Sequence, residues 1–234
     1  MSINTHHCYL QSADREDPNS DPANCRITLA KSLMPKCISL SYAFIPATFY
    51  NITERNNKFA IDATTYTVPA GCYTLADVMQ AIADLLTAFH VTVSYDDVIG
   101  RMIISTTDPF ININFSVANS IGTTLGFKNI SYSDAASYTS SFVPKLYSNS
   151  IFISINGINS GCITSQKANV QNSTFIVPAN VNKGEVIQFY KHSQFNLTPR
   201  VNDTINFFDI RFYDEFGFQL INLADWSLML EMMN

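Results

Sequence analysis

The stretch Ile205-Asn-Phe-Phe-Asp-Ile-Arg-Phe-Tyr213, with the turn Asp214-Glu-Phe-Gly217 behind it, decides the fold class. In an extended chain, successive side chains point to opposite faces. Phe208, Ile210 and Phe212 therefore share one face, and Phe207, Asp209, Arg211 and Tyr213 share the other. The first set is wholly apolar and the second carries two charges, so the first is the core face of a half-buried strand. Gly217 marks a turn, and a second alternating run follows at 218–231. There Trp226, Leu228 and Leu230 lie opposite Asp225, Ser227 and Glu231, with Met229 as the apolar exception. The only tryptophan, Trp226, is expected to be a buried anchor whose indole N–H is hydrogen-bonded, because an unpaired buried donor is costly; the competing expectation is an exposed anchor for a neighbouring protein, since tryptophan is also enriched at interfaces. The two runs are expected to pair as adjacent antiparallel strands.

Working outward, similar short runs fill most of the chain. Ile38-Ser-Leu-Ser-Tyr-Ala-Phe-Ile45 alternates in the same way, and Pro46 ends it. Residues 59–62 and 65–68 read as one hairpin. Residues 91–95 and 101–105 read as another, around Asp96-Asp-Val-Ile-Gly100. Further strands are expected at 110–117, 150–155, 173–177, 185–190 and 195–201, and Pro178 and Pro199 confine two of these to edges or bends. Residues 128–148, rich in Ser, Tyr and Ala, read as a surface loop.

One segment is helical. Leu75, Val78, Met79, Ile82, Leu85, Leu86 and Phe89 recur at steps of three and four, forming one apolar stripe. Thr74 stands before it as an N-cap, with Asp77 three residues on, the pattern of a capping box. The helix is expected over about 74–88, with Met79 and Ile82 as anchors of its core face.

These elements sum to an all-β fold, a single jelly-roll sandwich with a small α+β insertion carrying one amphipathic helix. The expected organisation is a flexible N-terminal arm at 1–26, first jelly-roll strands at 27–58, the insertion at 59–127 and the remaining strands at 128–234. The arm reading rests on Ala13-Asp-Arg-Glu-Asp-Pro-Asn-Ser-Asp-Pro-Ala-Asn-Cys25, which is charged, holds two prolines and has no apolar periodicity.

Composition narrows the function. The 234 residues are 47% hydrophobic and only 14% charged, which excludes disorder over most of the length. A net charge of −5 disfavours a dedicated nucleic-acid binder. No apolar run is long enough to cross a membrane as a helix. The start MSINTHHCYLQ has neither a basic n-region nor an apolar h-region, so secretion is not expected. Five scattered cysteines, Cys8, Cys25, Cys37, Cys72 and Cys162, read as reduced thiols.

Catalytic and ligand motifs are sparse. His6, His7 and Cys8 adjoin, but a structural metal site needs about four organised ligands. His90 and His192 have no nucleophile or carboxylate at a recognised spacing. Cys72 follows Gly71 at a strand-to-helix corner, where the small-residue reading is preferred to a reactive thiol. Asp96-Asp97 and Asp214-Glu215 sit in expected turns, which attract acids for backbone reasons. Neither a catalytic residue nor a cofactor is expected.

Two blocks carry a resemblance. The first runs Ile45-Pro-Ala-Thr-Phe-Tyr-Asn-Ile52, Asn56-Asn-Lys-Phe59, Val68-Pro-Ala-Gly-Cys-Tyr-Thr74, the amphipathic helix, the 91–105 hairpin and Leu125-Gly126. The second runs from Ile205 to Gly217 and then through Leu223-Ala-Asp-Trp-Ser-Leu-Met-Leu230. Together they resemble the single jelly-roll penton and minor capsid proteins of virophages, polinton-like viruses and adintoviruses. Where such proteins carry a Leu-Asn-Gly type run before the Asp-Trp, this chain has Ile221-Asn-Leu-Ala224. The resemblance implies a structural protein of an icosahedral virion, made in the host cell and placed at the fivefold vertices. Its implied partners are copies of itself in a pentamer and a double jelly-roll major capsid protein. Another minor capsid or cement protein, and an attachment or lectin-like module using Tyr132, Tyr138 and Tyr147, are the competing expectations.

Overall fold

In a computed structural model, residues 5–107, 111–133, 135–156, 158, 173–191 and 204–233 are described. The expected strand at 195–201, Phe110, Pro199, Cys162 and His192 lie outside the described residues. The chain separates into two compact units. The first combines 1–49 with 148–234, and the second is the stretch 50–147 inserted between them. The insertion is thus wider at both ends than the 59–127 expected.

The first unit contains β1 (Thr5–Gln11), β2 (Asn24–Leu33) and β3 (Cys37–Pro46) before the insertion. The inserted unit supplies β4 (Lys58–Ile61), β5 (Thr64–Thr67), α1 (Leu75–Leu85), β6 (Val91–Asp96), β7 (Arg101–Thr106), β8 (Ile113–Asn114), β9 (Ser131–Tyr132) and β10 (Ser137–Thr139). The first unit resumes with β11 (Ser150–Ile155), β12 (Phe175–Pro178), β13 (Val186–Tyr190), β14 (Ile205–Tyr213) and β15 (Ser227–Met233).

Eight strands of the first unit form two antiparallel four-stranded sheets, ordered β1-β15-β3-β13 and β12-β11-β14-β2. Counted within the unit, the orders are 1-8-3-6 and 5-4-7-2, the jelly-roll arrangement, in which the chain crosses between sheets at nearly every connection. One core lies between them, with Leu10, Leu40, Ile45 and Leu230 from the first sheet meeting Ile27, Ile153, Phe208 and Phe212 from the second.

Two expectations are corrected here. The N-terminal segment is not an arm: β1 pairs along its whole length with β15, from Thr5 opposite Met233 to Gln11 opposite Ser227. Its first strand closes on the last because a jelly roll that lacked this pairing would leave β15 as an open edge. The charge of 13–25 serves local turns, with the Asp17 carboxylate accepting from Asn19 N–H and that of Asp21 from Ala23 N–H. Nor do β14 and β15 pair. Both edges of β14 are taken, by β11 and β2, so β15 enters the opposite sheet and its apolar face meets that of β14 across the core.

The inserted unit has its own core. The Thr74 hydroxyl accepts from Asp77 N–H at 3.1 Å and the Asp77 carboxylate accepts from Thr74 N–H at 2.9 Å, so a reciprocal capping box starts α1. The helix gives way to a tight turn at Thr87–Phe89, closed by His90 in the left-handed region. Val78 and Ile82 are buried among Phe59, Met102, Ile104 and Phe115. Residues 128–148 are more than a loop, for they hold β9 and β10, and Tyr138 is buried in this core. Gly126, at φ +84, lets the chain pass where a Cβ would lie 2.1 Å from the Phe142 carbonyl oxygen.

Candidate functional site

A connected polar cluster of the first unit surrounds Trp226. Core packing brings the indole ring to 4.9 Å from Phe212, and its N–H donates to the Pro22 carbonyl at 2.8 Å. Ser12, at the end of β1, donates its backbone N–H to the Trp226 carbonyl, and its hydroxyl accepts from Trp226 N–H, both at 3.0 Å. The same hydroxyl donates to Asp225 at 2.7 Å. Arg15 joins by bridging Asp225 at 2.9 Å and the Ser12 carbonyl at 2.8 Å, and it donates to the Pro18 carbonyl. Residues 12–22 thus clasp the start of the last strand.

The other anchor residues fall into two places. Phe208, Ile210 and Phe212 are fully buried in the jelly-roll core with Trp226, while Ile82 is buried and Met79 partly buried in the inserted core. The fold does not bring these six together; it divides them between two cores. The segment 12–22 escaped the sequence reading because its partners lie at the far end of the chain. Turn-forming Asp17 and Asp21 were the available signal.

The chemistry candidates acquire structural roles. His7 stands opposite Glu231 on β15, and Cys8, next along β1, packs against the core. Burial raises the Cys8 thiol above its ordinary pKa and pushes that of Cys25 up to about 11, so both are poor nucleophiles near neutrality. The Asp96 carboxylate accepts from Val98 and Ile99 N–H, and that of Asp214 from Phe216 and Phe218 N–H, as turn residues do. His90 is exposed, and Cys72 is half-buried. Among the described residues, no group of three or more His, Cys, Asp or Glu is placed to hold a metal ion, and no helix is long and apolar enough to cross a membrane. The tyrosines proposed for a binding patch serve packing: Tyr138 is buried, Tyr132 packs against the inserted core, and the Tyr147 hydroxyl donates to the Tyr73 carbonyl at 2.7 Å.

With two jelly-roll sheets and an insertion between the third and fourth strands established, solved structures give the comparison. The mavirus penton protein matches with a TM-score of 0.56 and 12% sequence identity, over 97% of this chain and 99% of that one. The fold resembles that of a virophage penton. A chain from the cryo-EM structure of the Sputnik virophage matches with a TM-score of 0.52 and 15% identity, over 98% of this chain and 97% of that one. No family model and no curated protein sequence matches. At these identities the likeness is one of fold, and its near-complete coverage of both chains includes the inserted unit as well as the jelly roll.

Proposed function

We propose that the chain is a structural protein of an icosahedral viral shell and that it is the penton at the fivefold vertices. The observation that carries this reading is the end-to-end fold likeness to the mavirus penton protein, spanning jelly roll and insertion together. A shell protein works by shape and surface, and Cys8 and Cys25 pack in or against the core while Asp96 and Asp214 hold turns. The reading assigns no catalytic step and no cofactor. Its partners are copies of itself in a pentamer and a double jelly-roll major capsid protein, and its place is the virion.

The test is quantitative mass spectrometry of purified particles. A ratio of about five copies per vertex identifies the penton, since a ring on a fivefold axis closes with five subunits. A clearly different non-zero ratio assigns the chain to a minor shell or cement role instead. Its absence from particles overturns the shell reading.

A further inference from the structure

The tip of a β-hairpin in water ordinarily carries polar or small residues. The turn between β6 and β7 does otherwise. It reads Asp96-Asp-Val-Ile-Gly100, and Val98 is 94% exposed, the most exposed large apolar residue among those described. Ile99 beside it is 54% exposed. A second segment arrives at the same end of the β10-β7-β6 sheet. Strand β10 pairs with β7, and Ser140 N–H prolongs the pairing by donating to the Met102 carbonyl. The chain then carries Phe142 and Val143 past the turn, both more than half exposed. A Cβ placed on Gly100 would lie 3.6 Å from the Val143 side chain. Val98, Ile99, Phe142 and Val143 therefore make one apolar tip from two distant stretches of sequence.

The backbone of this tip is satisfied from within. The Asp96 carboxylate accepts from Val98 N–H at 2.9 Å and from Ile99 N–H at 3.2 Å, and the Asp96 carbonyl accepts from Gly100 N–H at 2.8 Å. On the other limb, Phe142 N–H donates to the Gly126 carbonyl, and the Phe142 carbonyl accepts from the Ser140 hydroxyl, both at 2.9 Å. Pro144 has no N–H to satisfy. A backbone group that leaves water loses a hydrogen bond unless the chain itself supplies one. Here these bonds are in place before the tip meets anything.

Shape, size and charge select the occupant. Four side chains on a protruding turn make a patch on the order of a few hundred Å², short of the ~800 Å² per partner that a standard stable protein pair buries. A lipid interface asks for less. It takes an apolar protrusion of any outline to a depth of about 5–10 Å, provided the backbone is paired. Tyr95, half-buried, brings its hydroxyl oxygen to 3.6 Å from the same Cβ position on Gly100. An amphipathic ring at that level is what the boundary between lipid and water favours. Asp96 stands opposite Arg101 in the hairpin register, so these two charges offset each other, while Asp97 is exposed beside Val98. An exposed carboxylate there opposes anionic headgroups.

We propose that this tip of the inserted unit seats in the headgroup region of a zwitterionic phospholipid bilayer, with Val98, Ile99, Phe142 and Val143 entering the apolar boundary. The chain lies on the membrane through this tip and does not span it. Apolar area drives the contact, so neither phosphatidylserine nor low salt strengthens it. The inference does not depend on the shell reading.

The test mixes the full-length chain with phosphatidylcholine vesicles at millimolar lipid and reads binding by flotation. Val98→Ser/Ile99→Ser and Phe142→Ser/Val143→Ser remove one limb each, and Met34→Ser is the control, because Met34 is 74% exposed in the other unit. Circular dichroism confirms that each variant is folded. The wild type should float with the vesicles, each limb variant should partition at least about tenfold more weakly, and Met34→Ser should bind like the wild type. Val98→Trp supplies a reporter, with the buried Trp226 as a constant background. Its emission should move to shorter wavelength on vesicles and be quenched by lipid brominated high on the acyl chains. A wild type that does not float overturns the inference, as do limb variants that bind unchanged or a Met34→Ser variant that loses binding equally. Binding that appears only with phosphatidylserine and fades with salt overturns it in favour of electrostatic adsorption. Self-association of the wild type that both limb variants abolish, without flotation, overturns it in favour of a protein partner. Vesicle binding is read on the free chain, so either result leaves the copy count in particles to judge the shell reading.

Discussion

Trp226 is held from three sides, by the Phe212 ring, by the Pro22 carbonyl on its indole N–H and by Ser12 on its backbone. Trp226→Ala removes the ring, leaves a cavity and frees the Pro22 carbonyl. The expected loss is about 3–5 kcal/mol, read as the fall in unfolding free energy from urea titrations. A folded variant of unchanged stability would make the ring dispensable to the subunit. Charge acts at the same scale on the outer face of that sheet. The hydrogen bond from Lys191 holds the Glu231 carboxyl below its ordinary value of 4.5, aided by the Lys191 charge and the Ser39 hydroxyl and opposed by desolvation. A carboxyl whose folded pKa is depressed contributes stability that is fully present above its unfolded pKa. That contribution is lost as the pH falls through the folded value. Lys191→Met should therefore lower stability at about pH 7, and its deficit should shrink steadily below about pH 4.5, measured as urea midpoints against pH. A deficit independent of pH would assign the loss to packing of the lysine stem.

At the scale of elements, β1 is the piece whose role was least apparent from its composition. It lies at the edge of its sheet, buries Leu10 and covers the outer side of β15. Deleting 1–11 exposes Leu10's partners and turns β15, with its Leu228, Leu230 and Met232, into an open edge. The expected cost is at least about 2 kcal/mol from lost apolar burial alone, seen as a lower thermal midpoint, together with aggregation through the freed strand. A deletion that left the melting curve unchanged would show β1 to be an ornament of the sheet. Helix α1 is the corresponding piece of the inserted unit. Ile82→Asp places a carboxylate among Phe59, Met102 and Phe115, where no cation is provided in the described core. Burying an unpaired charge is among the few single changes that cost several kcal/mol.

Across the whole molecule, the two cores draw on separate stretches of chain, 50–147 for one and the flanking segments for the other. Ile82→Asp should therefore abolish slow amide exchange in 50–147 while 5–49 and 148–156 keep theirs, measured by hydrogen exchange with mass spectrometry. Uniform loss of protection throughout would mean that the jelly roll needs the folded insertion to form. Separate cores also allow the insertion to change its surface without disturbing the sandwich, as in other scaffolds that carry function on loops and insertions.

The sequence by itself determined whatever depends on neighbours along the chain. Alternation at Phe208, Ile210 and Phe212 marked a strand and its core face, the stripe from Leu75 to Phe89 marked the helix, and Thr74 with Asp77 marked its first turn. Those signals survive because period and capping are local physics. Only the tertiary structure decided which strands pair. β14 and β15 are close in sequence yet lie in opposite sheets, because the edges of β14 are already filled by strands from distant parts of the chain. The segment 5–25 read as an arm because its stabilising partners, β15 and Trp226, are at the other end of the molecule and leave no trace in its own composition. A row of outward side chains across the first sheet is a still longer-range feature. Tyr9, Tyr42, Tyr190 and Met229 come from four separate strands, and only the register of the folded sheet sets them side by side.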